Sequence, residues 1–387
     1  MLMTGYTRSR PPQNRSQAYS GVQPLSPFTH STQRFEPLPP PLGVPPYHYD
    51  LETVVPGVGQ LAAQNGRLVF HTVGDTGGIK HPEYQTAVAN AMEQDTTGFD
   101  LSSLAGYQGP VFFYHLGDVV YYNGEYSEYY SQFYEPYDHY GPPIIAIPGN
   151  HDGSIADDTQ TSLAGWVAYF MTSTPHVDPA SQDAPRLTLS QPNVYFTLLC
   201  PFVTIVGLYT NVPDHGSVDS IQQQWLANEL ATAPQDKALL VCLHHPVYSF
   251  DAFHSGSPNM ADLLQHAIND SRRVPNMVLA GHVHNYQRIE RKIAGDAVTP
   301  FLVAGDGGYF NLHRMNADVG TTDPNTNAQL TFSEDQSHGY VTLTVDAKSI
   351  SGNFTAVGKS GDVTPKADTF SYSAAPLLLP DGATVSL

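Results

Sequence analysis

Residues 277–288, MVLAGHVHNYQR, join four apolar residues to a glycine and two histidines. Four earlier segments have the same form, an apolar run that leads into a short polar motif. They are LVFHTVGDTG (68–77), VFFYHLGDVVY (111–121), IIAIPGNHD (144–152) and ALLVCLH (238–244). Short apolar runs, most of them ended by glycine, are typical of buried strands followed by loops. We therefore predict an α/β fold in which these loops lie along one edge of a sheet.

The five motifs contain carboxylates, a phenol, an amide and imidazoles, which are common metal donors. Taken alone, each motif has a simpler interpretation, GD or GNHD as a turn and HVH as a pair of strand histidines. Five motifs in this order favour a shared site instead. His282 and His284 share one face of an extended chain, and Gly281 lets the backbone approach closely. The sequence therefore predicts a two-metal site of the kind that hydrolyses phosphate esters.

The set of motifs resembles the calcineurin-like metallophosphoesterases, and among them the purple acid phosphatases. Two details favour that branch. Gly77 stands in GDTG where most of the superfamily has a histidine ligand, and Tyr121 closes the motif GDVVY. The resemblance covers residues 66–357, including a predicted hairpin (193–208) and a predicted helix (221–230). It implies an α/β fold of two packed mixed β-sheets flanked by α-helices.

In this branch a tyrosinate replaces the histidine and holds a ferric ion. The resemblance therefore implies a binuclear centre of Fe(III) and a divalent ion, Zn, Fe or Mn. Asp75, Tyr121 and His284 would hold the first ion, Asn150, His244 and His282 the second, and Asp118 would bridge them. A trivalent ion prefers anionic oxygen donors, whereas two imidazoles and an amide suit the divalent ion.

The resemblance also implies the reaction, in-line attack of a metal-bound hydroxide on a phosphate monoester, best at acidic pH. His151 matches the family's phosphate-contacting histidine, with Asp152 as its orienting carboxylate. His254 lies in a loop where purple acid phosphatases carry substrate-binding histidines, although a solvated loop residue is the simpler interpretation. These three are the candidate catalytic residues. His245 matches no ligand position, and we expect it to serve local packing.

Alternatives remain open at this point. One is a phosphodiesterase or nucleotide-hydrolysing metallophosphoesterase that uses the same metals. Another is a non-catalytic scaffold that acts through a proline-rich tail, against which the complete ligand set argues. Arg288 could contact phosphate, but we favour its pairing with a nearby carboxylate. Asp306, in the sequence GDGG, is expected to form a tight turn near the site rather than to bind metal.

Composition limits the expected partners and compartment. Lys and Arg total 17 against 36 for Asp and Glu, a net charge of -19 that disfavours nucleic acid and acidic membrane surfaces. The expected partner is therefore a small phosphate-ester substrate. The 17 histidines would offset much of this charge on acidification. No stretch is long enough to cross a membrane and residues 1–10 lack an apolar signal region, so we expect a cytoplasmic location, or a secreted or periplasmic one if a leader is missing.

The chain divides into four expected parts. Residues 1–46 are rich in proline and should be disordered or draped over the domain. Their run EPLPPPLGVPP could dock a partner, although a plain tail is the simpler interpretation. Residues 47–65 are expected to link this tail to a catalytic domain at 66–357, and 358–387 to form a C-terminal extension. The tyrosine-rich segment 121–140 has helical spacing, which favours core packing over an aromatic wall for the organic part of an ester.

Overall fold

The computed structural model of the protein describes residues 34–387, which form two mixed β-sheets flanked by α-helices, together with a short two-stranded antiparallel sheet. Within these residues the sixteen strands are β1 His48–Asp50, β2 Leu68–Val73, β3 Phe113–His115, β4 Ile144–Ala146, β5 Phe196–Leu199, β6 Val203–Gly207, β7 Ala238–Leu243, β8 Arg273–Val274, β9 Met277–Ala280, β10 Tyr286–Ala294, β11 Ala297–Ala304, β12 Gln329–Glu334, β13 His338–Val345, β14 Ser349–Val357, β15 Val363–Ser373 and β16 Leu377–Leu378. The seven α-helices in the same residues are α1 Leu51–Val54, α2 Val58–Asn65, α3 Pro82–Asp95, α4 Asn150–Gly153, α5 Ala164–Phe170, α6 Ser220–Thr232 and α7 Pro258–Ser271. The predicted fold class is confirmed.

The strand order explains how distant motifs meet. The larger sheet has the order β1-β5-β6-β7-β9-β11-β10-β12, and the smaller has the order β15-β14-β13-β2-β3-β4. In the larger sheet β6, β7, β9 and β11 run parallel, and in the smaller sheet β2, β3 and β4 run parallel. The carboxyl ends of parallel strands lie at the same edge of a sheet. The five motifs therefore follow strands of two sheets, β2, β3 and β4 in one and β7 and β9 in the other, which corrects the prediction of a single sheet edge.

The two sheets are joined by direct side-chain contacts. Tyr286 of β10 stacks on Phe354 of β14, with ring centroids 4.1 Å apart and planes at 2°. Arg288 of β10 donates to both carboxylate oxygens of Asp368 in β15, at 2.8 and 3.1 Å. Arg288 thus pairs with a carboxylate, the alternative favoured from the sequence, and stabilises the contact between the sheets.

Helix α7 shows how the local sequence sets the flanking layer. The Ser257 side chain accepts a hydrogen bond from the Met260 N–H, and Pro258 occupies the first turn, where its missing N–H costs nothing. The buried residues recur at helical spacing and form one apolar face: Met260, Leu263, Leu264, Ala267 and Ile268. Within residues 34–387, none of the helices combines the length and the apolar character needed to span a bilayer.

Both sheets extend past the boundaries expected for the catalytic domain. Strand β1 lies in the segment expected to be a linker and pairs with β5, and β15 lies beyond residue 357 and pairs with β14. Strand β15 buries only Asp368 and Phe370, so it lacks the apolar alternation that marks a strand in the sequence.

Part of the expected tail is held against the domain. Glu36 is buried and exchanges two backbone hydrogen bonds with the Asn211 side chain, at 2.8 and 2.9 Å. The Gly43 N–H donates to the Pro192 carbonyl at 2.8 Å. Residues 34–46 are therefore draped over the domain, whereas the rest of the predicted tail, residues 1–33, lies outside the described residues.

The tyrosine-rich segment packs into the core without forming an α-helix. It contains a 3-10 turn at Tyr126–Glu128 and a π-helical turn at Tyr130–Tyr134. Its buried aromatic residues join the main hydrophobic core: Tyr129, Phe133, Tyr134, Tyr137 and Tyr140. Tyr126 is 43% exposed and donates its hydroxyl hydrogen bond to Asp178. Core packing, the favoured interpretation, accounts for most of this segment.

Buried histidines outside the motifs make the fold sensitive to acid. Burial lowers the pKa of His71 below its ordinary 6.5 and that of His338 to about 4. Above pH 6.5 these imidazoles are neutral in both the folded and the unfolded chain, and the folded state keeps its full stability. As pH falls toward the lower folded-state pKa values, the unfolded chain binds protons that the folded chain does not, and stability is lost. The unfolding free energy is expected to fall between about pH 7 and about pH 5. In His338→Gln this fall should be smaller by about 1–2 kcal/mol, because the buried imidazole is gone.

Urea unfolding at both pH values measures this difference. The exposed His266 provides the matched control, since His266→Gln should leave the acid sensitivity unchanged. An unfolding free energy that is equal for the unmodified protein at the two pH values would contradict the prediction.

Candidate metal centre

The predicted metal ligands lie in segments that follow strands, and one of them, Asn150, is the first residue of helix α4. Asp75 follows β2, Asp118 follows β3 and His282 follows β9, and all three have left-handed backbone conformations, with φ of 57°, 55° and 68°. Non-glycine residues rarely adopt this conformation, which costs energy and is found preferentially at functional sites. Three of the thirteen non-glycine residues with positive φ in residues 34–387 are thus predicted ligands.

Asp75, Tyr121 and His284, the first ligand set, meet in the buried interior. The Tyr121 hydroxyl lies 3.1 Å from Asp75 Oδ1 and 3.4 Å from His284 Nε2. His284 Nε2 lies 3.4 Å from the same Asp75 oxygen. Ligand atoms about 2.1 Å from one ion and at right angles to each other lie about 3 Å apart. The three atoms therefore have the spacing of donors to a single ion.

Asn150, His244 and His282, the second ligand set, have an equivalent arrangement. Asn150 Oδ1 lies 3.0 Å from His244 Nε2 and 3.0 Å from His282 Nδ1. This set joins an amide oxygen to two imidazoles, the donors expected for a divalent ion such as Zn, Fe or Mn. The loops after β4, β7 and β9 thus assemble a second three-donor set.

Asp118 connects the two sets. Asp75, Asp118 and His244 offer donor atoms that all lie within 4.8 Å of one another, and Asp118 Oδ2 lies 3.3 Å from His244 Nε2. Asp118 Oδ1 accepts the His151 N–H at 2.8 Å, whereas the buried Oδ2 has no hydrogen-bond partner among residues 34–387. A buried carboxylate oxygen without a partner is costly, and a cation would satisfy it. The residues present therefore fit a pair of ions that share Asp118.

Backbone carbonyls orient two of the imidazoles. His244 Nδ1 lies 2.9 Å from the Leu116 carbonyl and His284 Nδ1 lies 3.0 Å from the Asn311 carbonyl. When Nδ1 carries the proton, its N–H donates a hydrogen bond to the carbonyl. The lone pair of Nε2 is then free to bind a metal ion, as is usual for metal-binding histidines. Both rings therefore present Nε2 to the cluster.

The charges of the cluster are strongly coupled. Burial, together with Asp118, raises the pKa of Asp75 well above its ordinary value. Burial opposes ionisation of Asp118 too, but His244 and His151 hold its pKa below the ordinary value. Burial also lowers the pKa values of His282 and His284, which keeps these imidazoles neutral as metal binding requires. Burial opposes a charge on His244, but Asp118 and Asp75 raise its pKa to about 9. The site thus combines two neutral imidazoles with a His244 imidazolium that balances the carboxylates, and a bound cation would take the place of its proton.

His151 lies at the cluster, but Asp152 does not orient it, which corrects the sequence-based expectation. His151 Nδ1 lies 2.7 Å from the Tyr122 carbonyl, and its ring centroid is 4.5 Å from that of Tyr121. Asp152 instead accepts backbone hydrogen bonds from Gly149 at 2.8 Å and from Val119 at 3.0 Å. Burial and the nearby Asp118 raise the pKa of Asp152 to about 7. Asp152 therefore ties together two ligand loops, and the Tyr122 carbonyl holds His151.

His254 also reaches the cluster, beside a histidine that the motifs did not predict. Its ring centroid lies 4.8 Å from that of His282 and 5.1 Å from that of His313. The His313 ring lies 4.5 Å from His284, and its Nδ1 lies 3.4 Å from an oxygen of Asp251. The same oxygen accepts the His254 N–H at 2.7 Å. Asp251 therefore holds His254 and His313 at the edge of the site. In the sequence, the isolated histidine at position 313 is the one sign of this arrangement.

His115 is a second residue that sequence reasoning missed. Its Nδ1 accepts the Gly117 N–H at 3.1 Å, and its Nε2 lies 2.9 Å from the Thr76 hydroxyl. Burial lowers the pKa of His115 to about 3, so the ring stays neutral and can accept on one side while donating on the other. It links the loop of Asp75 to the loop of Asp118.

The GDGG loop closes the first ligand set without supplying a ligand. The Tyr309 N–H donates to the Asp75 carbonyl at 3.0 Å, and the Tyr309 ring stacks on Tyr121 with centroids 4.1 Å apart. Asp306 is fully buried and lies outside the group of donor atoms found around Asp118. Tyr309 thus covers the predicted tyrosinate ligand.

Solved structures of low sequence identity share this fold. The chain is similar to the purple acid phosphatase PPD1 from yellow lupin (Lupinus luteus) seeds, with a TM-score of 0.56 and 19% identity over 79% of this chain and 54% of that one. It thus spans about half the length of the lupin protein. It is also similar to GAP50, the anchor in the inner membrane complex of Plasmodium, with a TM-score of 0.54 and 14% identity over 80% of this chain and 89% of that one. At these identities the likeness shows the fold.

The sequence itself identifies the family. Among curated proteins, none matches the chain. The family model of calcineurin-like phosphoesterases matches residues 69–286, more than half of the chain, and this range includes all seven predicted ligands. The chain therefore belongs to the calcineurin-like phosphoesterase family.

Proposed function

We propose that the protein is a two-metal phosphomonoesterase of the purple acid phosphatase branch, acting on a small phosphate-ester substrate. One observation carries the proposal: donor atoms within each ligand set lie 3.0–3.4 Å from a neighbour, and Asp118 offers an oxygen 3.3 Å from His244 of the second set and a donor atom within 4.8 Å of Asp75 of the first. A pair of ions held in this way would lower the pKa of a bound water and stabilise the attacking and leaving oxygens of an in-line displacement.

The donor chemistry supports Fe(III) in the first ligand set and Zn, Fe or Mn in the second. Asp75 and Tyr121 offer anionic oxygens, which a hard trivalent ion prefers, beside the single imidazole of His284. The second ligand set offers two imidazoles and a neutral amide, which suit a divalent ion. Gly77 agrees with this assignment, since a side chain there would come within 2.7 Å of the Tyr121 ring. The glycine leaves room for the tyrosine.

His151 and His254 are the proposed substrate contacts. His151 is held through its own backbone N–H by Asp118 and through its ring by the Tyr122 carbonyl, so its Nε2 is free for a phosphate oxygen. His254 lies on the other side, beside His282. A histidine in this position can donate a proton to the leaving oxygen. Burial and the neighbouring His313 lower the pKa of His254 below its ordinary value of 6.5, so its protonated, proton-donating form is populated only at acidic pH. Activity is therefore expected to be higher at acidic pH than above neutrality.

A scaffold is the second candidate function, because one similar structure is named an anchor of an inner membrane complex. A scaffold does not need seven donor side chains, five of them buried, gathered in one cluster. Hydrolysis therefore accounts for more of the site than partner binding does.

The visible spectrum of the purified protein tests the assignment of the first ligand set. We expect two metal ions per chain, one of them iron, and a tyrosinate-to-iron absorption band. Tyr121→Phe should abolish the band and lower the iron content, because the phenolate donor is lost. Tyr126→Phe, in the same segment but 43% exposed, is the matched control and should leave both unchanged.

Three results would redirect the proposal. A colourless protein that contains only zinc or manganese would place the chain elsewhere in the family. Hydrolysis of bis(4-nitrophenyl) phosphate that is faster than that of 4-nitrophenyl phosphate would favour a phosphodiesterase. Absence of bound metal and of hydrolysis would favour the scaffold.

A further inference from the structure

The segment 251–255 places His254 at the edge of the site with little support from packing. Ala252, Phe253 and Ser255 are exposed, Phe253 by 70%. Ser255 lines both a cavity of about 310 Å³ that borders His254 and a second cavity of about 680 Å³. Hydrogen bonds therefore contribute much of what fixes the position of the His254 ring.

Backbone hydrogen bonds hold this segment at its two ends. The Ala252 N–H donates to the Arg314 carbonyl at 2.9 Å. Beyond the segment, the Ser257 N–H donates to the Pro246 carbonyl at 2.8 Å. Between these two points the chain turns, and a side chain takes over from the backbone as hydrogen-bond acceptor.

The Asp251 carboxylate closes this turn. Its Oδ2 accepts the Phe253 N–H at 2.8 Å and the His254 N–H at 2.7 Å, the pattern of an Asx turn. Its Oδ1 accepts a hydrogen bond from Asn285 Nδ2 at 3.0 Å. Asn285 directly follows the predicted ligand His284 in the chain. One side chain thus ties the turn that carries His254 to the segment of a ligand.

The same carboxylate lies beside a second imidazole. His313 Nδ1 is 3.4 Å from Asp251 Oδ2, and the His313 and His254 ring centroids are 5.1 Å apart. The His254 ring lies 4.8 Å from that of His282 in the second ligand set. The His313 ring lies 4.5 Å from that of His284 in the first. The Asp251 side chain is fully buried, so it reaches the substrate through these two rings and not directly.

The charge of Asp251 strengthens its contacts. Burial opposes its ionisation, but the His313 ring and the N–H groups of His254 and Phe253 hold its pKa below the ordinary value. Hydrogen bonds to an ionised acceptor are stronger than those to a neutral one. The turn is therefore held by a carboxylate, in a place where packing supplies little.

We propose that Asp251 is a positioning residue of the reaction, which fixes His254 and His313 around the phosphoryl group without touching it. The inference rests on the proposed phosphomonoesterase function and adds a residue that no motif marks. Functional groups must be held to within about 0.5 Å by side chains that are themselves fixed. Asp251 meets that requirement through its contacts with Phe253, His254, Asn285 and His313.

A double-mutant cycle tests whether Asp251 acts through His254. A displacement of about 1 Å can cost about 100-fold in rate, so Asp251→Ala should lower kcat/KM for 4-nitrophenyl phosphate about 100-fold with both metal ions still bound. In a His254→Gln protein the same change should cost at least about tenfold less, because the group that it displaces is already gone. Asp251→Asn keeps an oxygen that can accept the two N–H groups, and it should recover at least about tenfold of the loss.

Asp346→Ala provides the control. Asp346 accepts the N–H groups of Lys348 at 2.7 Å and of Ser349 at 2.8 Å, the same turn pattern as Asp251. It lies in the turn between β13 and β14, at the far end of β2 from Asp75. This variant should keep the kcat/KM of the unmodified protein.

Two results, each with both metals bound, would overturn the inference and leave the phosphomonoesterase standing. One is an unchanged kcat/KM in both Asp251 variants, and the other is losses from Asp251→Ala and His254→Gln that multiply in the double variant. If Asp251→Ala does not fold or loses metal, Asp251→Asn takes its place in the cycle under the same criterion.

If the unmodified protein hydrolyses no ester, the proposed function fails. The cycle is then measured on the Kd of inorganic phosphate. Losses of affinity that do not multiply support the positioning role of Asp251, whereas losses that multiply, or absence of phosphate binding, overturn it.

Discussion

Asp118→Asn is expected to abolish stable binding of both metal ions and to lower kcat/KM for a phosphate monoester drastically. Asp118 Oδ2 lies 3.3 Å from His244 Nε2 and has no other partner among the described residues. The amide is nearly the same size as the carboxylate but carries no charge. Loss of a group that merely orients a metal ligand typically costs 10–100-fold, so loss of a shared ligand should cost about 1,000-fold or more.

Metal analysis and steady-state kinetics of the purified variant measure this effect. The charge is removed while the shape is kept, and we therefore expect the variant to fold. Asp296→Asn is the matched control, because Asp296 is exposed and forms only a surface pair with Lys292. An Asp118→Asn protein with two metals and normal turnover would rule out the shared-carboxylate centre.

The sequence brings the seven candidate ligands forward because each is part of a short contiguous motif. In the structure the runs 68–73, 238–243 and 277–280 form strands over the predicted residues. Their periodicity and composition already indicate buried strands. The loops that follow carry the donor atoms, so strand prediction and motif recognition together locate the site.

The remaining site residues could not be predicted because long-range contacts place them. His313 reaches the site because its N–H donates to the His284 carbonyl at 2.8 Å, although no motif marks its loop. Asp152 is adjacent to His151 in sequence, yet its carboxylate turns to the backbone N–H groups of Gly149 and Val119. Proximity in sequence did not predict which side chains touch.

A strand beyond the resemblance, β15, was hard to recognise in the sequence for a related reason. Strand β15 is an edge strand whose partner covers one side only, and it exposes most of its residues. A strand shows an apolar sequence pattern only where neighbouring strands pair with it and other elements pack on its face. Edge strands such as β15 therefore resemble loops in the sequence.

Gly281→Ala is expected to disrupt the metal centre from a position that supplies no donor atom. A Cβ atom at Gly281 would lie 2.5 Å from Asp75 Oδ2 and 3.1 Å from the Leu116 carbonyl oxygen. Asp75 cannot easily turn away, because the same Oδ2 accepts the His282 N–H at 2.7 Å. A displacement of reacting groups by about 1 Å can cost about 100-fold in rate, and we expect a loss of at least that size.

Metal content, kcat/KM and the unfolding free energy of the variant should be measured together. Overpacking costs about 1–3 kcal/mol of stability, which a folded variant can tolerate while iron is lost from the first ligand set. Gly59→Ala is the matched control. Gly59 lies on the exposed side of α2, where its Cβ would meet only the flexible Glu52 side chain, at 3.3 Å. That control should keep full metal content and gain helix stability. If Gly281→Ala binds two metals and turns over normally, close backbone approach is not what this position provides, and the contact between the Asp75 and His282 loops must be looser than the structure indicates.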